Sequence, residues 1–270
     1  MNISNTKLIL NQEAPWLIMI HGFGGSKKMW NKQVDAFSDR YNIMILELPG
    51  HGDSPIGLSE YENVSLQDIA EAIINLLLYE KIFCASFICV SMATLIMSAI
   101  AEIRPEMVRS VVFCGAVFGM NRISELAFRA GNYLKYILPY MAMVKILAMI
   151  LMPNRTHKIS RKFLVLECRN LGRAEFLRWY SLMTGEIYRL HDHMSCFKGI
   201  QSLVIMGSED HVFLKDAISS LLNFRNRIKL KTIRNCGHVC SLQKWREFNA
   251  ISAEFLDSVS FPAVKPVSLL

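Results

Sequence analysis

The sequence predicts an α/β fold, a mostly parallel central sheet with helices on both faces and a helical insertion before its last two strands. Three observations carry this expectation. Short continuous apolar runs alternate with longer stretches of helical periodicity, as in strands buried on both faces. Residues 118–198 interrupt that alternation and contain no strand-like run. The chain has 270 residues, 52% of them hydrophobic and 20% charged, which suits one large domain and excludes a disordered protein.

The elements follow in order. Residues 1–11 are polar apart from one short apolar stretch and show no secretory pattern. Residues 15–20 (PWLIMI) and 41–46 (YNIMIL) read as buried strands. Residues 65–80 read as a helix: Ser65 can cap it, Asp68 sits three residues on, and Leu66, Ile69, Ile73, Leu76 and Leu77 share a face. A strand at 85–90, a helix at 92–102 and a strand at 108–114 come next. Beyond the interruption lie a strand at 201–206, a helix at 214–223, a strand at 228–233 and a helix at 242–256. The expected division is a core of residues 1–117 and 199–257, a helical cap of 118–198 and a loose tail of 258–270. Two apolar runs are distinguished from membrane spans. Residues 85–101 are uncharged but short and read as core; residues 133–152 are broken by Lys135, Pro139 and Lys145 and read as an amphipathic surface.

The formal charge of +7 is unevenly placed. Residues 118–198 hold 13 basic and 5 acidic residues, a net of +8, which leaves 17 basic and 18 acidic residues elsewhere, a net of −1. That distribution excludes a uniformly basic nucleic-acid binder. The seven cysteines, Cys84, Cys89, Cys114, Cys168, Cys196, Cys236 and Cys240, form neither a disulfide ladder nor a paired zinc spacing. A reducing, cytoplasmic setting is the expectation they support.

In an open parallel sheet, ligands bind beyond the carboxyl ends of the strands. Those ends carry His21-Gly22-Phe23-Gly24-Gly25-Ser26, Pro49-Gly50-His51-Gly52-Asp53-Ser54, Ser91, Gly207-Ser208-Glu209-Asp210 and Asn235-Cys236-Gly237-His238. A hydroxyl, a carboxylate and an imidazole thus fall on one sheet edge in the order Ser, Asp, His. With His21-Gly22, Pro49-Gly50-His51-Gly52, the Ser91 turn, Gly207-x-x-Asp210 and Gly237-His238 in sequence, the chain resembles the α/β-hydrolase superfamily from about residue 15 to 256. The resemblance implies an α/β-hydrolase fold whose cap is the helical insertion. It also implies an initial hairpin, reduced here because only about fourteen residues precede the first central strand.

The resemblance implies a site as well. Ser91 is the expected nucleophile, on a strand-to-helix turn that exposes its hydroxyl to a base. The family pattern Gly-x-Ser-x-Gly reads Cys89-Val90-Ser91-Met92-Ala93 here, so both glycines are replaced by small residues. His238 is the expected general base and Asp210 the acid that orients it, with Glu209 a competing neighbour. The oxyanion hole falls to the backbone N–H groups of Phe23 and Met92. His51 reads as shaping a turn, and Cys89 as a minor alternative nucleophile. His191-Asp192-His193, and Cys236 and Cys240 about His238, lack a recognised metal framework, so neither a metal nor an organic cofactor is expected. The function expected is a serine hydrolase acting on an ester or thioester through an acyl-enzyme. The alternatives are a C–C bond hydrolase or lyase on the same fold and a non-catalytic ligand-binding regulator. The expected substrate is a small acyl ester or thioester with an anionic portion such as coenzyme A or a carrier protein; neither nucleic acid nor a transmembrane segment is expected, and the cap is expected to touch membrane surfaces at most weakly.

Overall fold

A computed structural model describes residues 3–54, 57–186, 192–222 and 228–259. Its centre is a seven-stranded sheet: β1 (Ser4–Leu8), β2 (Trp16–Ile20), β3 (Asn42–Glu47), β4 (Ala85–Val90), β5 (Val108–Cys114), β6 (Gln201–Gly207) and β7 (Ile228–Ile233). The spatial order is β1-β3-β2-β4-β5-β6-β7, with β1 antiparallel to β3 and every other pairing parallel. Among the described residues, β1 is the one strand that precedes the central parallel strands, and it forms an antiparallel edge. The helices of the sheet region are α1 (Asn31–Phe37), α2 (Leu66–Tyr79), α3 (Ala93–Ile103), α7 (Leu214–Leu221), α8 (Cys240–Gln243) and α9 (Trp245–Ser258). The single helix expected over 242–256 is two, because Lys244 leaves helical geometry at φ −127° and ψ 47°.

The central strands are apolar throughout because both faces are covered. Ile18 and Ile20 of β2 join Met44 and Leu46 of β3 under α2 and α3, where Ile69, Ile73 and Ile96 pack. Leu17 and Met19 point the other way, with Ile43, Ile45 and Ile88, against Trp30, Phe37, Phe248 and Phe255. This strand alternation assigns one side chain in two to each layer. At the start of α2, Ser65 and Asp68 form a reciprocal capping box, worth about 1 kcal/mol in a typical helix.

The chain leaves β2 for β3 on one side and later returns to β4 on the other, so successive connections diverge between neighbouring β2 and β4. A crevice opens at such a reversal. The loop after β2 and the turn after β4 border it.

Between β5 and β6 the chain builds α4 (Arg122–Leu134), α5 (Tyr140–Leu151) and α6 (Lys158–Glu186), the last kinked at Gly172 with φ 80°. Helix α6 is tied back to the loop after β3. Trp179 Nε1–H donates to Pro49 O at 3.0 Å, and buried Glu175 accepts from the Leu58 N–H at 2.7 Å. Among the described residues, no helix is long and apolar enough to cross a membrane. The residues 133–152 singled out in the sequence span the end of α4 and all of α5.

Candidate active site

Ser91 lies between β4 and α3 with φ 52°, the left-handed region that side chains with a Cβ rarely occupy. Its N–H donates to Cys114 O at 2.9 Å and its carbonyl accepts from Thr94 N–H at 2.8 Å, which fixes the turn on both sides. The residues replacing the pattern's two glycines, Cys89 and Ala93, are wholly buried in the apolar layer beneath. The close approach that matters here occurs at Gly22, where an added Cβ would lie 2.9 Å from Val90 O and 3.1 Å from Ser91 Cβ. Glycine in the neighbouring loop is what lets that loop come up against the serine.

His238 follows β7, Asp210 follows β6, and both are buried. The Ser91 hydroxyl donates to His238 Nε2 at 2.8 Å, and His238 Nδ1–H donates to Asp210 Oδ2 at 2.7 Å. The second carboxylate oxygen, Oδ1, accepts from the Phe213 N–H at 3.2 Å, and the Phe213 ring lies 5.0 Å from the imidazole. Burial alone would lower the histidine's pKa, but the Asp210 carboxylate outweighs it and the net shift is upward. Gly115, at φ 60°, lies beneath the ring, and a Cβ there would meet His238 O at 2.5 Å. Cys240 donates its thiol to Gly237 O at 3.6 Å and Cys236 contacts Gln243 Oε1 at 3.8 Å, so these flanking thiols hold the histidine loop from below.

Glu209 does not face the imidazole of His238. Its carboxylate accepts from His157 Nε2–H at 2.7 Å and from the Thr156 hydroxyl at 3.3 Å. Hydrogen bonds from Asn154 and His157 hold it below the usual carboxylate range. Cys89 is inside β4, and burial pushes its thiol pKa up. The His191-Asp192-His193 motif falls outside the described side chains. Among the described residues there is no cluster of three or more metal-ligating side chains.

Phe23 and Met92 both border the serine, on the loop after β2 and at the first turn of α3. Neither backbone N–H donates to another group among the described residues. Two histidines set the Phe23 loop. His21 Nδ1–H donates to Gly22 O at 2.8 Å while Nε2 accepts from Leu48 N–H at 3.1 Å. His51 Nδ1–H donates to Pro49 O and its Nε2 accepts from Gly24 N–H, each at 3.1 Å. Each ring needs one donor and one acceptor nitrogen, which is the neutral form. Burial lowers the His21 pKa to about 4 and, with His21 nearby, places that of His51 well below its ordinary value.

Ser91 and His238 open into a cavity roofed by Phe128 of α4, Leu147 and Leu151 of α5, and Ser160, Phe163 and Leu164 of α6. Among the described residues lining it, none carries Lys, Arg, Asp or Glu. The excess positive charge of the insertion therefore does not face the cavity. The roofing residues and His157 were not anticipated from the sequence: apolar helical positions look alike whether they face a core or a cavity, and a lone histidine in a basic stretch carries no signal.

Residues 15–137 match the family model described as the alpha/beta hydrolase fold. The chain is 28% identical over 106 residues to (E)-2-((N-methylformamido)methylene)succinate hydrolase of Acinetobacter baylyi, which is 39% of each chain. It is 31% identical over 101 residues to pimeloyl-[acyl-carrier protein] methyl ester esterase of Aeromonas hydrophila, 37% of each. In both relatives the match spans well under half of the length. Among solved structures, an alpha/beta hydrolase enzyme from a Medee basin deep-sea metagenome library superposes with a TM-score of 0.77 at 19% identity, covering 97% of both chains.

Proposed function

From a chain with the α/β-hydrolase fold, we propose a serine hydrolase that cleaves an ester or thioester through an acyl-enzyme on Ser91. The hydrogen-bonded series Ser91, His238, Asp210 at the mouth of an apolar cavity carries this reading. His238 Nε2 takes the Ser91 proton as the oxygen attacks the acyl carbonyl, and Asp210 stabilises the imidazolium that forms. The N–H groups of Phe23 and Met92 receive the developing oxyanion, typically a few kcal/mol for each donor. Collapse breaks the bond to the leaving alcohol or thiol, which departs with the proton from His238. Water then gives its proton to His238, attacks the acyl carbon, and releases the acid and the serine.

In this reading residues 118–198 act as the cap and its inner wall selects the acyl group. The Acinetobacter relative is named for a succinate, a dicarboxylate. The uncharged lining here suits an apolar chain better, since a buried carboxylate without a cationic partner is costly. The Aeromonas relative is named for a carrier-protein methyl ester, a substrate that presents an extended aliphatic chain. A turnover panel of p-nitrophenyl esters and acyl-coenzyme A thioesters of rising length tests the proposal, with Ser91→Ala as control. Hydrolysis that rises with chain length and vanishes in Ser91→Ala supports it; unchanged hydrolysis in that variant contradicts it.

A further inference from the structure

Helix α4 is turned inside out relative to the usual surface helix. Its buried side consists of Ser124, Phe128 and Gly131. Its solvent side carries Ile123 at 82% exposure, Leu126 at 69% and Tyr133 at 78%, and the turn after it adds Ile137 at 79%. Positions 123, 126, 130 and 133 lie on one face at helical spacing, a stripe roughly 15 Å long at 1.5 Å per residue, and exposed Ile137 follows in the turn beyond the helix. A surface helix ordinarily aims such a stripe at the core, and one aimed at solvent marks an interaction site.

Charge selects the occupant. The first half of α6 presents Lys158, Lys162 and Arg169 on an exposed face that also carries Ile159 and Leu166. Glu167 and Glu175 of the same helix are buried, and Glu125 of α4 is engaged with Arg129. With a net charge of +8 over residues 118–198, two copies meeting through the insertion would repel each other. A surface that is apolar and anionic at once matches both features: the headgroup region of an acidic lipid layer, where apolar side chains insert and Lys and Arg meet lipid phosphates. We propose that the outer face of the insertion, led by α4, docks on anionic lipid. Phe128 projects from the opposite side of α4 into the cavity, so a docked molecule holds its acyl pocket against the layer from which a poorly soluble substrate would come.

The test is co-sedimentation of the full chain with phosphatidylglycerol-containing vesicles and with phosphatidylcholine vesicles, alongside the triple variant Ile123→Glu, Leu126→Glu, Ile137→Glu. The wild type should sediment with the anionic vesicles and be released by salt. The variant's partition constant should fall about tenfold or more, while its hydrolysis of a soluble short-chain ester stays at the wild-type rate. That soluble assay reads Ser91 chemistry separately from docking. Wild-type protein left in the supernatant with anionic vesicles overturns the proposal, as does sedimentation indifferent to lipid charge or to the three substitutions. A concentration-dependent dimer in light scattering, or a complex with an acidic carrier protein, that those substitutions abolish while vesicle binding is absent also overturns it. If the variant loses its fold by circular dichroism, the wild-type comparison of the two vesicle types still decides.

Discussion

The sheet edge and the helical insertion face the same cavity but are built on opposite rules. At the sheet edge the polar groups are short-range and paired: Ser91 with His238, His238 with Asp210, Asp210 with the Phe213 N–H, and His21 and His51 with backbone on both ring nitrogens. The insertion gives the cavity Phe128, Leu147, Leu151, Phe163 and Leu164, and among the described residues none of its Lys or Arg side chains lines it. The difference teaches a division of labour. In the proposed reading, chemistry belongs to loops whose geometry the sheet imposes, and choice of substrate and surface belongs to helices that the sheet only anchors.

The sharpest way to break this division is to exchange the adjacent carboxylates. Asp210→Asn should lower kcat/KM by about 10⁴-fold, whereas Glu209→Gln, at the contact with the insertion, should change it by only about severalfold. The acid limb of the pH–rate profile reports the neutral fraction of His238. Its pKa is raised by Asp210 against the effect of burial, so the wild-type limb should lie above the ordinary histidine value and move to lower pH in Asp210→Asn. A larger loss in Glu209→Gln would reassign the orienting acid.

The core half makes its own prediction in stability. His21 is buried neutral with a pKa of about 4, whereas in the unfolded chain it titrates near 6.5. The unfolded state therefore binds more protons between those values, and stability is lost as pH falls from about 6.5 towards 4, on the order of 3 kcal/mol from this group. Denaturant titrations across that window should show the loss, and His21→Asn should reduce it, leaving the part contributed by His51, which burial also holds below its ordinary pKa. A wild-type curve without slope would contradict the buried neutral state.

Changes in the insertion should alter selection and leave chemistry in place. Leu164→Trp should reduce kcat/KM for a long p-nitrophenyl ester by roughly 10- to 100-fold and for the acetate by about threefold or less. Equal losses on both would make the roof part of the catalytic machinery. Trp179→Phe removes the N–H donor to Pro49 O and should cost about 1–2 kcal/mol in thermal or denaturant unfolding, with the acetate turnover retained.

The same contrast explains what was legible in the sequence. Strands β4, β5 and β7 run over the residues expected of them, because a two-sided apolar run bounded by turn residues has few other uses. The Ser65–Asp68 cap was legible for a similarly local reason. Strand β1 was not: as an edge strand its sequence SNTKL is polar and half exposed, and its pairing with β3 is long-range. Helix α1 was also not anticipated, since seven residues of mixed polarity give little periodicity. At the site, strand ends put a hydroxyl, a carboxylate and an imidazole on one edge, and the resemblance to the α/β-hydrolases singled out Ser91, Asp210 and His238 among the residues there. Glu209's attachment to His157 and the outward stripe of α4 depend on how helices pack, which no spacing in the chain encodes.

The most direct measurement is mass-spectrometric mapping of a fluorophosphonate adduct on the wild type and on Ser91→Ala, His238→Ala and the triple variant of α4. The account predicts one adduct per chain on Ser91, absent in Ser91→Ala, strongly slowed in His238→Ala, and formed at the wild-type rate in the α4 variant. No adduct, an adduct on another residue, or labelling unaffected by the loss of His238 would contradict it.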